Sequence, residues 1–175
     1  MVTQLVYTAV LGVVACERIA EMWLSRRNAK WSFAQGGREY GQGHFPFMVV
    51  LHTGFLLGCV AEVWFCHRTF EPMLGTGMFA LALLCQGLRW WVIGTLGHQW
   101  NARVIVVPDL PRVTGGPFRH VPHPNYVAVV LEGIALPMIH GAWITALIFT
   151  LLNLPLLAVR IRCEERALKE LSLTL

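Results

Sequence analysis

Charge is scarce in this sequence. Only 14% of its 175 residues are Asp, Glu, Lys or Arg, where an ordinary soluble domain carries about a quarter. Other things are missing too. The five cysteines (Cys16, Cys59, Cys66, Cys85 and Cys163) form no CxxC pair, which removes the common redox and zinc motifs and leaves small apolar packing residues as the plain reading. No phosphate-binding glycine loop, dinucleotide fingerprint or nucleophile–base arrangement can be read along the chain. No internal repeat is visible, which argues against a transporter built from duplicated halves. Val13-Val14-Ala15-Cys16 faintly resembles a lipoprotein cleavage site, but the positive charges of a signal peptide are absent before it.

What is abundant is apolar surface, 55% of residues. It falls into five runs, over 2–24, 46–65, 72–97, 122–139 and 142–159. A membrane span needs about 20 mostly apolar residues at about 1.5 Å rise each. The expected fold is therefore all-α: a polytopic integral membrane protein with about five transmembrane helices. Residues 1–97 are read as the N-terminal helices. Residues 98–175 form one unit: a polar loop, a helical hairpin and a C-terminal helix.

The net charge of +4 invites a nucleic-acid reading, but its distribution points elsewhere. Arg26, Arg27, Lys30 and Arg38 follow the first run; Arg103, Arg112 and Arg119 follow the third; Arg160, Arg162, Arg166 and Lys169 follow the fifth. The opposite side has Arg68 alone. Eleven cations against one predict an N-terminus outside and a C-terminus in the cytosol. Cations spread over separate loops make no single patch for nucleic acid, so the expected partner is the lipid membrane and no nucleic acid.

Several polar residues interrupt the runs. Glu17 and Glu21 share one helix face; they either mark a helix end reaching the headgroups or clasp a cation on another span, for which Arg89 is a candidate. Glu62 lies near the outer boundary and can snorkel. Trp90 and Trp91 suggest an interface. Residues 29–45, Gly-rich with Trp31, Phe33 and Tyr40, look like an interfacial loop. Residues 98–121 form the longest polar stretch and contain Val104-Ile105-Val106-Val107, β-branched and too short to span, then a turn at Pro108-Asp109. Pro124 suits a first helical turn. Pro155 is expected to kink the fifth span.

Two clusters carry the chemistry. Glu132 is the only ionisable residue between Tyr126 and Ile139, and a charge inside a span faces a cavity or a partner. Asn153 lies at a comparable depth on the next helix. The second cluster, Arg160-Ile161-Arg162-Cys163-Glu164-Glu165-Arg166, reads alone as a solvated helix end. The tight connection at His140-Gly141, however, brings it beside residues 116–126. His120 and His123 lack a further ligand set, so no metal is expected.

These clusters, in this order, resemble the isoprenylcysteine carboxyl methyltransferase family and its phospholipid methyltransferase relatives. Their pattern is G-P-[YF]-R-x-x-R-H-P-x-Y, then a helical hairpin, then R-x-x-x-E-E. Here it reads Gly116-Pro117-Phe118-Arg119-His120-Val121-Pro122-His123-Pro124-Asn125-Tyr126, then Arg160-Ile161-Arg162-Cys163-Glu164-Glu165. Pro122 stands where arginine is usual, and Val127-Ala128 where many members have glycine. The resemblance covers residues 98–170. It implies an S-adenosylmethionine-dependent methyltransferase with a cytosolic cofactor pocket. Gly116, Pro117, Phe118, His123, Asn125, Tyr126, Glu164 and Glu165 would bind the cofactor. Glu132, Arg160 and Arg103 would serve catalysis on the acceptor side. The expected acceptor is lipophilic, a small molecule or prenylated substrate entering from the bilayer, methylated on a carboxylate or hydroxyl oxygen. A phospholipid amine is the alternative acceptor, and a non-enzymatic membrane binding or transport module the rival class. A transporter would show polar residues along a path through several spans.

Overall fold

The computed structural model describes residues 1–108 and 110–172. The turn expected at Pro108-Asp109 and the last residues of the C-terminal helix thus lie partly outside the described residues. Five α-helices carry the chain: α1 Val2–Ala34, α2 Phe45–Phe65, α3 Pro72–Leu96, α4 Pro124–Met138 and α5 Trp143–Ser172. A proline occupies the first turn of α2, α3 and α4, where its missing N–H costs no intrahelical bond. The segments Gln42–Phe65, Pro72–Gln99 and Trp143–Lys169 are long and apolar enough to cross a membrane. α4 is apolar but has 15 residues, about 22 Å, short of the hydrocarbon thickness of about 30 Å. α1 is long enough, yet it carries Glu17, Arg18 and Glu21 halfway along.

The architecture is not purely helical. Strand β1, Arg38–Tyr40, pairs antiparallel with β2, Val104–Val106, matching Arg38 to Val106, Glu39 to Ile105 and Tyr40 to Val104. The β-branched run of β2 favours an extended backbone, and an extended segment must find its hydrogen bonds on another chain segment. Its partner comes from the α1–α2 connection, expected to be loop. α5 continues through Pro155 as one helix of 30 residues. The charged turn at 160–166 is thereby fixed rigidly to the apolar part of the helix.

The main core joins all five helices: Tyr7, Leu11 and Val14 of α1, Phe55, Cys59 and Val63 of α2, Ala82 of α3, Ala135 and Leu136 of α4, and Phe149 of α5. Contact between α4 and α5 depends on Gly133, because a Cβ there would lie 2.5 Å from the Phe149 ring. At the end of the bundle near Arg68, Glu62 is not snorkelling. Its carboxylate accepts hydrogen bonds from the backbone N–H groups of Ile144 (3.2 Å) and Thr145 (2.7 Å) and from Arg68 Nε (3.0 Å). It therefore caps the first turn of α5, whose N–H groups have no partners within the helix.

Candidate functional site

The opposite end of the bundle, called here the basic end, is where α1, α3 and α5 finish and α4 begins. α1 outruns its apolar part there and presents Ser25, Asn28 and Ser32 on one face, all buried. Asn28 Nδ2 donates to the carbonyls of Gly97 (3.0 Å) and Trp100 (2.8 Å). Ser25 Oγ accepts from the N–H of Ala102 (3.0 Å), and Asn101 Nδ2 donates to Ser32 Oγ (3.3 Å). This ladder pins residues 97–102 against α1. Behind it, Trp100 packs on Val92 and Ile93 of α3, with Phe118 alongside.

The pinned loop is one wall of a cavity of about 170 Å³. The other walls come from the start of α4, the end of α5 and the β2 segment. Phe118, His123, Asn125, Tyr126, Arg160, Glu164 and Arg103 all line it, so seven of the residues expected in the site converge. Gly116 and Pro117 are not in the lining. They seat the turn over Gly116–Arg119 against α3, and Gly116 adopts φ +57° with a would-be Cβ 2.6 Å from Thr95 Oγ1. That position requires glycine.

Arg160 organises the floor. Its Nε donates to Tyr126 Oη at 2.9 Å, and Nη1 donates to the Ala102 carbonyl at 2.6 Å. Its Cζ stands 5.7 Å from the Tyr126 ring centroid. The Tyr126 hydroxyl in turn donates to the Glu164 carboxylate. Glu165, one residue on and about 100° around the helix, points elsewhere: it pairs with His123 Nε2 at 3.6 Å, and the His123 ring stacks on Tyr126 at 5.3 Å. Arg103 sits exposed at the mouth, held by Glu39 of β1 (3.4 Å) and lying over the Phe45 ring.

Glu132 is elsewhere. It lies deeper along α4 and pairs with Arg18 Nη2 (3.2 Å) and Arg89 Nη1 (3.8 Å). Arg89 also grips Glu21 through Nε (2.5 Å) and Nη2 (2.8 Å), so the clasp expected of Glu21 forms. Gln86 bridges Arg18 and Glu17. Three carboxylates and two guanidiniums thus tie α1, α3 and α4 together inside the bundle. Glu132 turns to α1 and α3 because they offer the compensating cations; it also lines a small, mostly apolar cleft with Arg18, His52, Phe55 and Phe149.

The pattern of the Isoprenylcysteine carboxyl methyltransferase (ICMT) family matches residues 78–170, from within α3 to the end of α5. The chain belongs to the ICMT family. Among similar chains, the Bacillus subtilis protein YpbQ, described as uncharacterized, is 35% identical over 162 residues, 93% of this chain and 96% of its own length. An uncharacterized protein of Haemophilus influenzae is 27% identical over 155 residues, covering 88% and 90%. No solved structure matches. ICMT membership makes this a member of a family of membrane methyltransferases, and the cavity can be tested against such a family's methyl donor. Two buried amide oxygens in its lining, Asn101 Oδ1 and Asn125 Oδ1, have no hydrogen-bond partner. Buried acceptors are ordinarily satisfied, and a nucleoside carries the matching donors. Arg160 suits a carboxylate, while the Tyr126 ring and Glu164 suit a cation. The residues present fit S-adenosylmethionine.

Sequence reading missed Ser25, Asn28, Ser32 and Asn101. The signal was there: polar residues three and four apart, at the end of a span, lie on one helix face.

Proposed function

We propose that this chain is an S-adenosylmethionine-dependent membrane methyltransferase that O-methylates a lipophilic acceptor, with the basic end and its cavity facing the cytosol. One observation carries the reading: the family's two motifs meet in a single cavity, where Tyr126, Arg160 and Glu164 form one hydrogen-bonded chain beside two orphaned acceptors. S-adenosylmethionine supplies an electrophilic methyl group on a sulfonium centre when bound. What the protein must add is alignment and exclusion of water. Glu164 and the Tyr126 face offset positive charge; Arg160 holds a carboxylate; Asn125, Phe118 and His123 close the sides. Gly116 and Pro117 keep the turn seated on α3, and Glu165 fixes His123. Arg103, held at the mouth by Glu39, orients the acceptor oxygen together with Arg160. Glu132 supports the site from below by holding the helices that form it. The acceptor, a prenylated carboxylate or a lipid hydroxyl, reaches the cavity from the bilayer.

Titration calorimetry on the detergent-purified chain tests this reading. S-adenosylmethionine and S-adenosylhomocysteine should both bind in a one-to-one complex. Binding of neither to a folded sample rejects the proposal.

A further inference from the structure

We infer that Asn101, oriented by Ser32 of α1, is a specificity-determining residue of the cavity: its amide oxygen accepts a hydrogen bond from a donor of a bound nucleoside, the exocyclic amine of adenine or a ribose hydroxyl. This rests on the cofactor reading above and assigns a residue outside both motifs.

An asparagine amide offers two donors and one acceptor oxygen. Here Nδ2 is engaged, donating to Ser32 Oγ at 3.3 Å. That leaves Oδ1 as the end presented elsewhere, buried and without a partner. The backbone on either side is immobilised. Trp100 O is held by Asn28, Ala102 N by Ser25, and Ala102 O by Arg160. Asn101 therefore cannot relieve its orphaned oxygen by moving the loop. Ser32 and Asn101 both line the cavity, as does Asn125, whose Oδ1 is orphaned in the same way. Two acceptors without donors disfavour an acceptor-only ligand such as phosphate in this part of the cavity. They match a ligand that brings N–H or O–H groups. With Nδ2 on Ser32 Oγ it is the carbonyl end that is left without a partner; without Ser32 the amide loses that anchor and is free to turn over and present its NH₂ instead.

The test uses the full chain in detergent and three ligands: S-adenosylhomocysteine, its inosine counterpart, in which the amine is replaced by a carbonyl, and its 2′-deoxy counterpart. Wild type should bind S-adenosylhomocysteine roughly tenfold tighter than one of the two analogues, the size of one lost hydrogen bond. Asn101→Ala should lose roughly tenfold for S-adenosylhomocysteine and nothing further for that analogue. Asn101→Asp keeps an acceptor and should retain most of the affinity. Ser32→Ala should fall between, and it carries the same comparison should Asn101→Ala not fold. An equal loss for all three ligands, or no loss, overturns the inference and leaves Asn101 a loop-holding residue. Failure of wild type to bind any of the three overturns the cofactor reading itself.

Discussion

The hydroxyl of Tyr126 stands between groups of opposite charge, accepting from Arg160 and donating to Glu164. Such a chain fixes all three side chains at once, so the two adjacent glutamates should behave differently. Glu164→Gln should weaken S-adenosylmethionine binding about tenfold. Glu165→Gln, which only loosens a half-exposed contact to His123, should change it by less than about twofold; equal effects in calorimetry would contradict the assignment. A second residue-scale expectation concerns Gly133. The Phe149 ring occupies the place of its missing side chain, so Gly133→Ala forces α4 and α5 apart and should cost about 1–3 kcal/mol of stability, read as a lowered unfolding temperature.

At the scale of elements, the charged layer formed by Glu17, Arg18, Glu21, Arg89 and Glu132 couples α1, α3 and α4. Removing one partner from a buried ionic cluster leaves uncompensated charge. Arg89→Met should cost about 3–5 kcal/mol, and adding Glu21→Leu should recover part of that loss. Glu132→Gln should lower the unfolding temperature while leaving cofactor affinity unchanged, because Glu132 does not line the cavity; a loss of affinity in the folded variant would place it in the site. Much of this scale was legible in the sequence. Apolar runs located all five helices, and the paired motifs located the floor of the cavity. Partners across elements were not legible. Val104-Ile105-Val106 announced an extended segment but not that Arg38–Tyr40 would pair with it, since pairing depends on where two distant loops meet. Glu62 looked like a snorkelling acid because its acceptors' match, the first turn of α5, lies about eighty residues away in sequence. Glu132 was recognised as costly, but which cations would answer it depended on the packing of α1 against α3.

For the whole molecule, the distribution of cations predicts that the cavity opens to the cytosol. Single cysteines placed at Thr69 and at Arg119, in a cysteine-free background, should label from opposite sides of sealed membranes; labelling from one side contradicts the topology. The end near Thr69 carries its own pH dependence. His140, in the α4–α5 connection, is buried between Tyr7 and Phe70 with neither ring nitrogen partnered. Burial lowers its pKa below the usual 6.5. The unfolded chain then binds the proton more readily than the folded one, so stability should fall as pH drops through and below about 6.5. His140→Phe should flatten that dependence in thermal unfolding scans between about pH 5 and pH 7.5. The ladder of Ser25, Asn28 and Ser32 has a consequence for how the chain can be divided. The segment that carries every family motif starts at residue 78, yet the wall of its cavity is held from α1. A fragment comprising residues 72–172 should insert as a three-helix piece that cannot retain ligand. Supplying residues 1–68 as a separate polypeptide in the same cell should restore binding, making this a protein that works when split between α2 and α3 but not when shortened to its recognisable half.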